Sequence, residues 1–481
     1  MMLKFYFTRY LAVYPEALLY MLQDTEYRLG RYVAWYLRTA DFRTVMKRRS
    51  LELTPKVKLL RVGLWTLWSL VVIVTAICVI VGYNAQSYVL GLVALLLIAL
   101  LPYILAFGIV IPLVLGWALI QKPRERAIID DATRRFANNK AIRIGIAGSF
   151  GKTTMKEILL TVLREGKDVA ATPGNMNTAI GISRFSRRLT GKEDVLIIEL
   201  GEEHPGDVKM LSELSRPMMG IITGINEAHL SSFRTLDRTV ATVFELVKYV
   251  GNQAVVYKNG ESQLVLDAVE GTDPYVFTEK GVAGWKVSKV KMSIDGTSFV
   301  ATHGKIVVSA HTGLLGVHTV GMCVVAIAIA HDLGLSAAQI ERGLGKVVPF
   351  EHRMQPRRLH GAWVIDDTYN GNSQGIQAGL QLLDALDAKR KVYITPGLVE
   401  QGDKTREIHE TIGQQIAVVA DVVVLMKNSV TDFIIHGLKK AQFGGTLLII
   451  DNPLEFYTNL DQFVATGDIV LMQNDWTDNY Q

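Results

Sequence analysis

The chain has 481 residues, which is enough for two or three domains, and its formal net charge is only +5. Hydrophobic residues make up 49% of it, which is high for a soluble protein and indicates a strongly apolar segment. The two cysteines, Cys78 and Cys323, lie in apolar stretches, so the composition excludes a disulfide framework and fits a reducing compartment.

Residues 1–58 form a basic and aromatic segment. They contain 11 Lys and Arg residues against 5 Asp and Glu residues. An apolar stripe recurs there at helical spacing, and its members are Tyr27, Leu29, Tyr32, Val33, Tyr36 and Leu37. Such a stripe fits either a helix on an anionic inner leaflet or a helical cap packed on the soluble part of the chain. The segment has no cluster of Cys and His residues, and no nucleic-acid partner is expected.

A long uncharged stretch follows, because no Asp, Glu, Lys or Arg lies between Arg61 and Lys122. It contains two apolar runs, residues 62–82 and residues 87–120. About 20 apolar residues suffice to span a bilayer as a helix, so each run is long enough to cross it. The sequence therefore predicts a transmembrane helical hairpin over residues 59–121.

Basic residues decide the predicted orientation of this hairpin. They flank the uncharged stretch on both sides, at Lys47, Arg48, Arg49, Lys56, Lys58, Arg61, Lys122, Arg124 and Arg126. Because positive residues stay in the cytoplasm, both flanks are expected inside and the polar turn at residues 83–86 outside. Pro102 and Pro112 leave open whether the second run is one kinked span continuing along the interface or two short spans. We expect a multi-pass protein of the inner (cytoplasmic) membrane with its catalytic domains in the cytoplasm.

Residues 141–164 predict a phosphate-binding loop. They read as an apolar strand, a turn with two glycines, and an amphipathic helix that starts at Lys152. The backbone N–H groups of such a turn converge on an anion, a lysine adds a point charge, and the next hydroxyl can bind Mg²⁺. The residues predicted to bind nucleotide are Gly148, Ser149, Gly151, Lys152, Thr153 and Thr154. The complete P-loop pattern has a further glycine where this chain has Ile146.

Two further side chains follow predicted strands near this loop. Glu199 ends the apolar strand at residues 195–198, and His229 lies on the loop after the strand at residues 218–223. The carboxyl ends of parallel strands share one sheet edge, where a carboxylate can bind Mg²⁺. Glu199 is therefore a candidate Mg²⁺ ligand, and its replacement by alanine is expected to change stability by about 1 kcal/mol or less. His229 taken alone fits an ordinary hydrogen-bonded loop residue as well as a ligand.

Seven short motifs occur between residue 141 and the end of the chain. They are GSFGKTT, GNMNTAIG, LGEEHPGD after Glu199, EAHL around His229, HRMQ at 352–355, DDTYNGN at 366–372 and the closing NDWTDNY. Together they resemble the Mur ligase family, and most of all its branch that adds D-alanyl-D-alanine to a UDP-muramoyl tripeptide. The resemblance implies an ATP- and Mg²⁺-dependent amide ligase of peptidoglycan precursor synthesis. A carboxylate on a UDP-linked peptide would become an acyl phosphate, which the amine of an amino acid or dipeptide would then attack.

The resemblance also implies roles for individual residues. Lys152, His229 and Arg353 would act in catalysis, with Lys152 and Arg353 near the transferring phosphate. Thr153, Glu199 and His229 would hold Mg²⁺, while His318 and Asp367 would contact the nucleotide. The residues implied for the substrate are Asn175, Asn177, Tyr369, Asn370 and Asn372.

The predicted fold class is α/β. After the basic segment and the hairpin, a central ATP-binding domain is predicted over residues 122–350, with a parallel sheet and β-hairpins at residues 285–309. From residue 351 strands and helices alternate again, which predicts a second, Rossmann-like parallel sheet over residues 351–481. The resemblance implies a cleft between these two domains that closes over ATP.

Three features depart from the family pattern. Val243 stands where the family has a carbamylated lysine for a second Mg²⁺, and Thr319 and Met322 replace asparagines that frame adenine. The membrane hairpin takes the place of the domain that grips UDP. A second metal would need another carboxylate, and the candidates are Glu202, Glu203 and Glu227. Two alternatives stay open: a poly-γ-glutamate type ligase, which also pairs a Mur-like core with a membrane segment, and a membrane-tethered pseudo-ligase that scaffolds wall synthesis.

Overall fold

The computed structural model describes residues 7–11, 13–25, 27–39, 41–42, 51–174, 176–226, 233–251, 254–369, 371–398 and 404–474. The chain divides into two compact units, Met1–Ala127 and Ile128–Gln481. The described part of the first unit is helical, and that of the second combines helices with three sheets.

Two long helices dominate the first unit. Its helices and helical turns are Phe7–Tyr10, Val13–Asp24, Leu29–Arg38, Pro55–Asn84, Tyr88–Gly108, Val110–Gly116 and Trp117–Gln121. Thr54 caps the first long helix by accepting a hydrogen bond from the Val57 N–H at 3.3 Å. The second apolar run forms consecutive helices, Tyr88–Gly108 and Val110–Gly116, that are separated at Ile109. By length and composition, two helices are apolar enough to cross a membrane.

Two members of the predicted aromatic stripe pack inside the first unit, whereas Leu37 is exposed. Tyr32 and Tyr36 are buried, and the Tyr32 hydroxyl donates to the Ala106 carbonyl at 3.1 Å. Pro102 has no N–H, so the carbonyl of Ile98 loses its helical partner, and the Tyr10 hydroxyl donates to it at 2.9 Å. These two tyrosines therefore pack on the second long helix, and both predicted settings for the stripe stay predictions.

The phosphate loop belongs to a parallel, six-stranded sheet with the order β2-β3-β1-β4-β5-β6. Its strands are β1 (Ile142–Ala147), β2 (Val169–Ala171), β3 (Val195–Glu199), β4 (Met219–Ile222), β5 (Val256–Asn259) and β6 (Val276–Phe277). Successive side chains of β3 enter two different hydrophobic clusters, Ile197 on one face and Ile198 on the other. Helices cover both faces of a parallel sheet, which explains why these strands read as continuous apolar runs.

Helices and a smaller sheet complete this half of the second unit. The helices are Lys122–Asn138, which begins in the first unit, Lys152–Leu163, Ala179–Ser186, Asp207–Ser215, Leu236–Val243, Glu245–Val250, Gln263–Asp267, His318–Asp332 and Ala337–Gly345. The small sheet is antiparallel, with β7 (Gly281–Val282), β8 (Trp285–Ser293), β9 (Gly296–His303) and β10 (Ile306–Thr312). The predicted β-hairpins are confirmed. Residues 236–250 form two helices that meet at Phe244.

A third sheet occupies the rest of the chain, with the order β11-β12-β16-β13-β14-β15. Its strands are β11 (Gln355–Leu359), β12 (Ala362–Asp367), β13 (Arg390–Thr395), β14 (Val422–Met426), β15 (Thr446–Ile450) and β16 (Asp468–Gln473). Its helices are Ser373–Ala385, Thr405–Val419, Thr431–Lys440, Pro453–Thr458 and Leu460–Phe463. The expected parallel strands are present, and β11 is an unpredicted antiparallel edge strand. An edge tolerates Pro356, which cannot donate to a ladder.

Candidate active site

The phosphate loop lies between the end of β1 and the helix Lys152–Leu163. Gly148 and Gly151 have φ angles of +139° and +79°, in the region that favours glycine. The loop is tied to the end of β4, because the Ser149 N–H donates to the Gly224 carbonyl at 2.7 Å. The Thr223 hydroxyl donates to the Phe150 carbonyl at 2.5 Å. The strand, glycine turn and helix expected of a phosphate-binding loop are therefore present.

Lys152 of this loop forms a buried ion pair with Glu202. Its ammonium lies 2.8 Å and 3.1 Å from the two Glu202 carboxylate oxygens and also donates to the Gly148 carbonyl. Burial raises the pKa of Glu202 to about 6, although the charge of Lys152 acts in the opposite direction. The sequence suggests Glu202 only as a substitute metal ligand. In the structure, its carboxylate binds the lysine of the phosphate loop.

Glu199, at the end of β3, is the centre of a polar cluster. One of its oxygens accepts hydrogen bonds from the Thr153 hydroxyl at 3.2 Å and from the Lys156 ammonium at 3.1 Å. The other accepts from the Asn177 amide at 3.2 Å. The structure thus brings Thr153, Glu199 and Asn177 together. Both Thr153 and Glu199 supply the hard oxygen atoms that Mg²⁺ prefers.

Some predicted site residues lie outside the described part of the chain. They are Asn175, His229 and Asn370, and Glu227 lies outside it as well. Among the residues that the structure describes, no group of three or more His, Cys, Asp or Glu side chains is placed to hold a metal ion. The predicted third Mg²⁺ ligand, His229, therefore stays a prediction.

Lys156 is a site residue that the sequence reasoning missed. Its side chain has no solvent exposure, and its ammonium also donates to the Gly174 carbonyl at 2.5 Å. It ties Glu199 to the polar loop that carries Asn177. The sequence does contain an indication of this position: Lys156 lies four residues after Lys152 on the same helix, and side chains at that spacing share a face.

A cavity of about 590 Å³ opens beside the phosphate loop, between the first and third sheets. Predicted nucleotide-binding residues among its lining are Gly151, Thr154, His318, Arg353 and Asp367. Tyr369 and Asn372, implied for the substrate, line it too, and the Arg353 guanidinium lies 4.4 Å from the centre of the Tyr369 ring. A cleft is therefore present at the expected place, and five of the nine residues predicted to bind nucleotide line it.

Two titratable groups of this cavity have shifted pKa values. Burial raises the pKa of Asp367 to about 6, even though its carboxylate accepts hydrogen bonds from the Gln473 amide at 2.7 Å and the Met354 N–H at 3.2 Å. Burial lowers the pKa of His318 to about 4, so this imidazole is neutral at pH 7. Thr319 and Met322, which replace the expected asparagines, line the same cavity.

A second cavity, of about 300 Å³, adjoins Lys152. Polar residues of its lining include Asn177, Glu202, Glu203 and Asp207. The described residues implied for the substrate are thus divided, with Asn177 in this cavity and Tyr369 and Asn372 in the larger one. Val243, at the position of the family's lysine, is fully buried in a hydrophobic cluster and offers no ligand.

Comparison with known proteins gives relatives for this part of the chain. A UDP-N-acetylmuramoyl-tripeptide--D-alanyl-D-alanine ligase of Mycobacterium tuberculosis is 30% identical over 289 residues, which is 58% of this chain and 56% of that protein. The enzyme of the same name from Synechocystis is 27% identical over 286 residues, 59% of this chain and 62% of that protein. The chain thus spans little more than half the length of these relatives.

Solved structures with the same fold include MurF from Acinetobacter baumannii, with a TM-score of 0.63 and 22% identity over 73% of this chain and 77% of that one. MurF ligase from Thermotoga maritima in complex with ADP has a TM-score of 0.62 and 22% identity over 73% of this chain and 80% of that one. Residues 146–330 match the Mur ligase middle domain, and residues 352–473 match the Mur ligase glutamate ligase domain. These matches cover more than half of the chain and contain both the phosphate loop and Asp367, so the chain belongs to the Mur ligase family.

Proposed function

We propose that this protein is an ATP-dependent amide ligase of the Mur type. The observation that carries the proposal is that the phosphate loop and the candidate Mg²⁺ ligands lie side by side at one edge of the first sheet. The phosphate loop with Lys152 adjoins the oxygen pair of Thr153 and Glu199, and Arg353 and Asp367 line the cavity beside it. A ligase that makes an acyl phosphate needs these parts, because its catalysis is mostly positioning and neutralisation of phosphate charge.

The residues divide this work by position. The loop N–H groups and Lys152 would bind the phosphates, and Arg353 would approach the transferring group from the other wall of the cavity. Thr153 and Glu199 would hold Mg²⁺, and their oxygens, 3.2 Å apart, fit a hard cation once the hydroxyl proton turns away. When bound, the ion would offset the negative charge of the phosphates.

The proposed substrates are a UDP-linked muramoyl tripeptide, which supplies the carboxylate, and D-alanyl-D-alanine, which supplies the amine. The names of the relatives at 27–30% identity support this assignment. The test is ADP formation by purified protein with both substrates and with each one omitted. We expect turnover only with both. ATP binding without turnover for this and other carboxylate and amine pairs would favour a pseudo-ligase scaffold instead.

Bicarbonate is expected to have no effect on this turnover. Val243 cannot form the carbamate that bicarbonate supplies, and it packs with Val208, Leu211 and Leu246 in a hydrophobic cluster. A Val243→Lys variant would bury an ammonium there, so its melting temperature should fall. The measurement is ADP formation in bicarbonate-free and bicarbonate-supplemented buffer, for wild type and this variant. Wild-type turnover that rises with bicarbonate would contradict the expectation. An inactive wild type and a folded Val243→Lys protein with bicarbonate-dependent turnover would favour the pseudo-ligase.

Nucleoside binding is expected to weaken at acidic pH. In the proposed site the Asp367 carboxylate accepts hydrogen bonds from the nucleoside, and its raised pKa of about 6 means that it takes up a proton as the pH falls through that value. Adenosine is a suitable probe because it has no phosphate to titrate. The affinity for adenosine, measured by calorimetry, should drop below pH 6 in wild type. For Asp367→Asn it should be low at every pH. A flat profile in wild type would refute this role.

We also propose that the two long helices cross the inner (cytoplasmic) membrane as a hairpin, with the Mur ligase domains in the cytoplasm. Their length and apolar composition and the basic residues at both ends support this placement. In a background with Cys78→Ser and Cys323→Ser, we expect an impermeant thiol reagent to label Asn84→Cys in intact cells. Lys122→Cys should react only after lysis. Labelling of position 122, with position 84 protected, would reverse the topology.

A further inference from the structure

We infer that Glu202 is a positioning residue that weakens the binding of nucleoside triphosphate by holding the Lys152 ammonium. The inference rests on the proposed ATP-dependent function. It concerns a contact between the helix that follows the phosphate loop and the segment that follows β3, 50 residues apart in the chain.

The Lys152 ammonium is fully engaged in the structure. An ammonium has three N–H donors, and the acceptors around this one are the Gly148 carbonyl and the two Glu202 oxygens. Glu202 is buried, with 2% exposure, and Lys152 is mostly shielded from solvent, with 11% exposure. A phosphate oxygen that binds Lys152 must therefore displace or share one of these three bonds, two of which go to Glu202.

Such a displacement is costly because of where Glu202 lies. When Lys152 turns to a phosphate, the Glu202 carboxylate loses the cation that balances it in a buried position. It also stays close to the incoming phosphate oxygens, which carry the same sign of charge. The neighbouring Glu199 differs, because the Lys156 ammonium balances it 3.1 Å away. Glu202 is therefore expected to lower the affinity for ATP.

The competing role for Glu202 is a carboxylate ligand that replaces the family's carbamylated lysine at a second Mg²⁺. The two roles predict opposite changes in ATP affinity when Glu202 is replaced. Removing a competitor of the phosphate strengthens ATP binding with or without Mg²⁺, whereas removing a metal ligand weakens Mg²⁺-dependent ATP binding.

The experiment compares calorimetric affinities for ATP and AMP, with Mg²⁺ and with a chelator, in wild type and Glu202→Gln. We expect ATP to bind about tenfold more tightly to the variant in both buffers, the size of one hydrogen bond to a charged group. AMP affinity should not change, since AMP lacks the phosphates that reach Lys152. Glu213→Gln is the matched control, because it removes the same charge from an exposed side chain of the helix Asp207–Ser215 that lines neither cavity. It should bind ATP as wild type does, and Glu202→Asp, which keeps a carboxylate, should stay close to wild type.

Glu202→Ala serves as a second variant if the glutamine variant has a lowered melting temperature. Unchanged or weaker ATP binding in the folded variants would overturn the inference, and a loss confined to Mg²⁺-containing buffer would assign Glu202 to a metal. Equal gains for ATP and AMP would also overturn it. If wild type and variants all fail to bind ATP, the proposed function falls as well. If ATP binds equally to all of them, only the role of Glu202 falls.

Discussion

Replacing Glu199 with alanine is expected to abolish ATP-dependent turnover and to lower the free energy of unfolding by about 3–5 kcal/mol. The catalytic loss follows from the proposed Mg²⁺ site, which would lose one of its two described oxygen ligands. The stability loss follows from Lys156, whose fully buried ammonium would lose the carboxylate 3.1 Å away. The buried ion pair therefore leads us to expect a larger loss of stability than the change of about 1 kcal/mol or less that the sequence alone suggests.

A double variant separates the two effects. Glu199→Ala together with Lys156→Met removes both charges, so most of the lost stability should return while turnover stays absent. Denaturant unfolding and ADP formation are the two measurements. If Glu199→Ala unfolds at the same denaturant concentration as wild type, the Lys156 pair contributes nothing and the proposed electrostatic coupling is wrong.

Gly148→Ala is expected to disrupt the phosphate loop and to weaken ATP binding by more than tenfold. At a φ of +139°, a side chain is strained, and such backbone strain costs about 1–3 kcal/mol. The added Cβ would also lie 2.5 Å from the Thr223 hydroxyl oxygen and 2.8 Å from the Gly224 carbonyl oxygen. The loop must shift to relieve these contacts, and its N–H groups then no longer converge on one anion.

The control for this variant is Gly304→Ala, in the turn between β9 and β10. Gly304 also has a positive φ, of +58°, but a Cβ there meets no atom within 4 Å. Gly304→Ala should lower the free energy of unfolding slightly, because a side chain is strained at this φ, and should leave the ATP affinity unchanged. ATP affinity is measured by calorimetry for both variants. Equal ATP affinity in Gly148→Ala and wild type would show that the loop does not bind phosphate in the proposed way.

The local pattern of the sequence predicted most of the fold. Continuous apolar runs predicted most strands of the two larger sheets and the two long helices, and alternation with turn residues predicted the hairpins around residues 285–309. Such local patterns need no partner to be recognised. The order strand, glycine turn, Lys152 and Thr153 predicted the phosphate loop for the same reason. The edge strand β11 was missed, since Pro356 within a short run argues against a strand and only its edge position permits one.

Charge pairing within the site was decided by the tertiary structure. Lys156 meets Glu199 across 43 residues of chain, and Lys152 meets Glu202 across 50 residues. Sequence periodicity placed each group on a helix or at a strand end, but whether a charge is buried, and which opposite charge balances it, depends on how the helix packs on the sheet. The sequence by itself determined the strand, glycine turn and helix of the predicted phosphate loop at this edge. Packing decided that Lys156 neutralises Glu199 and that Glu202 holds the lysine of the phosphate loop.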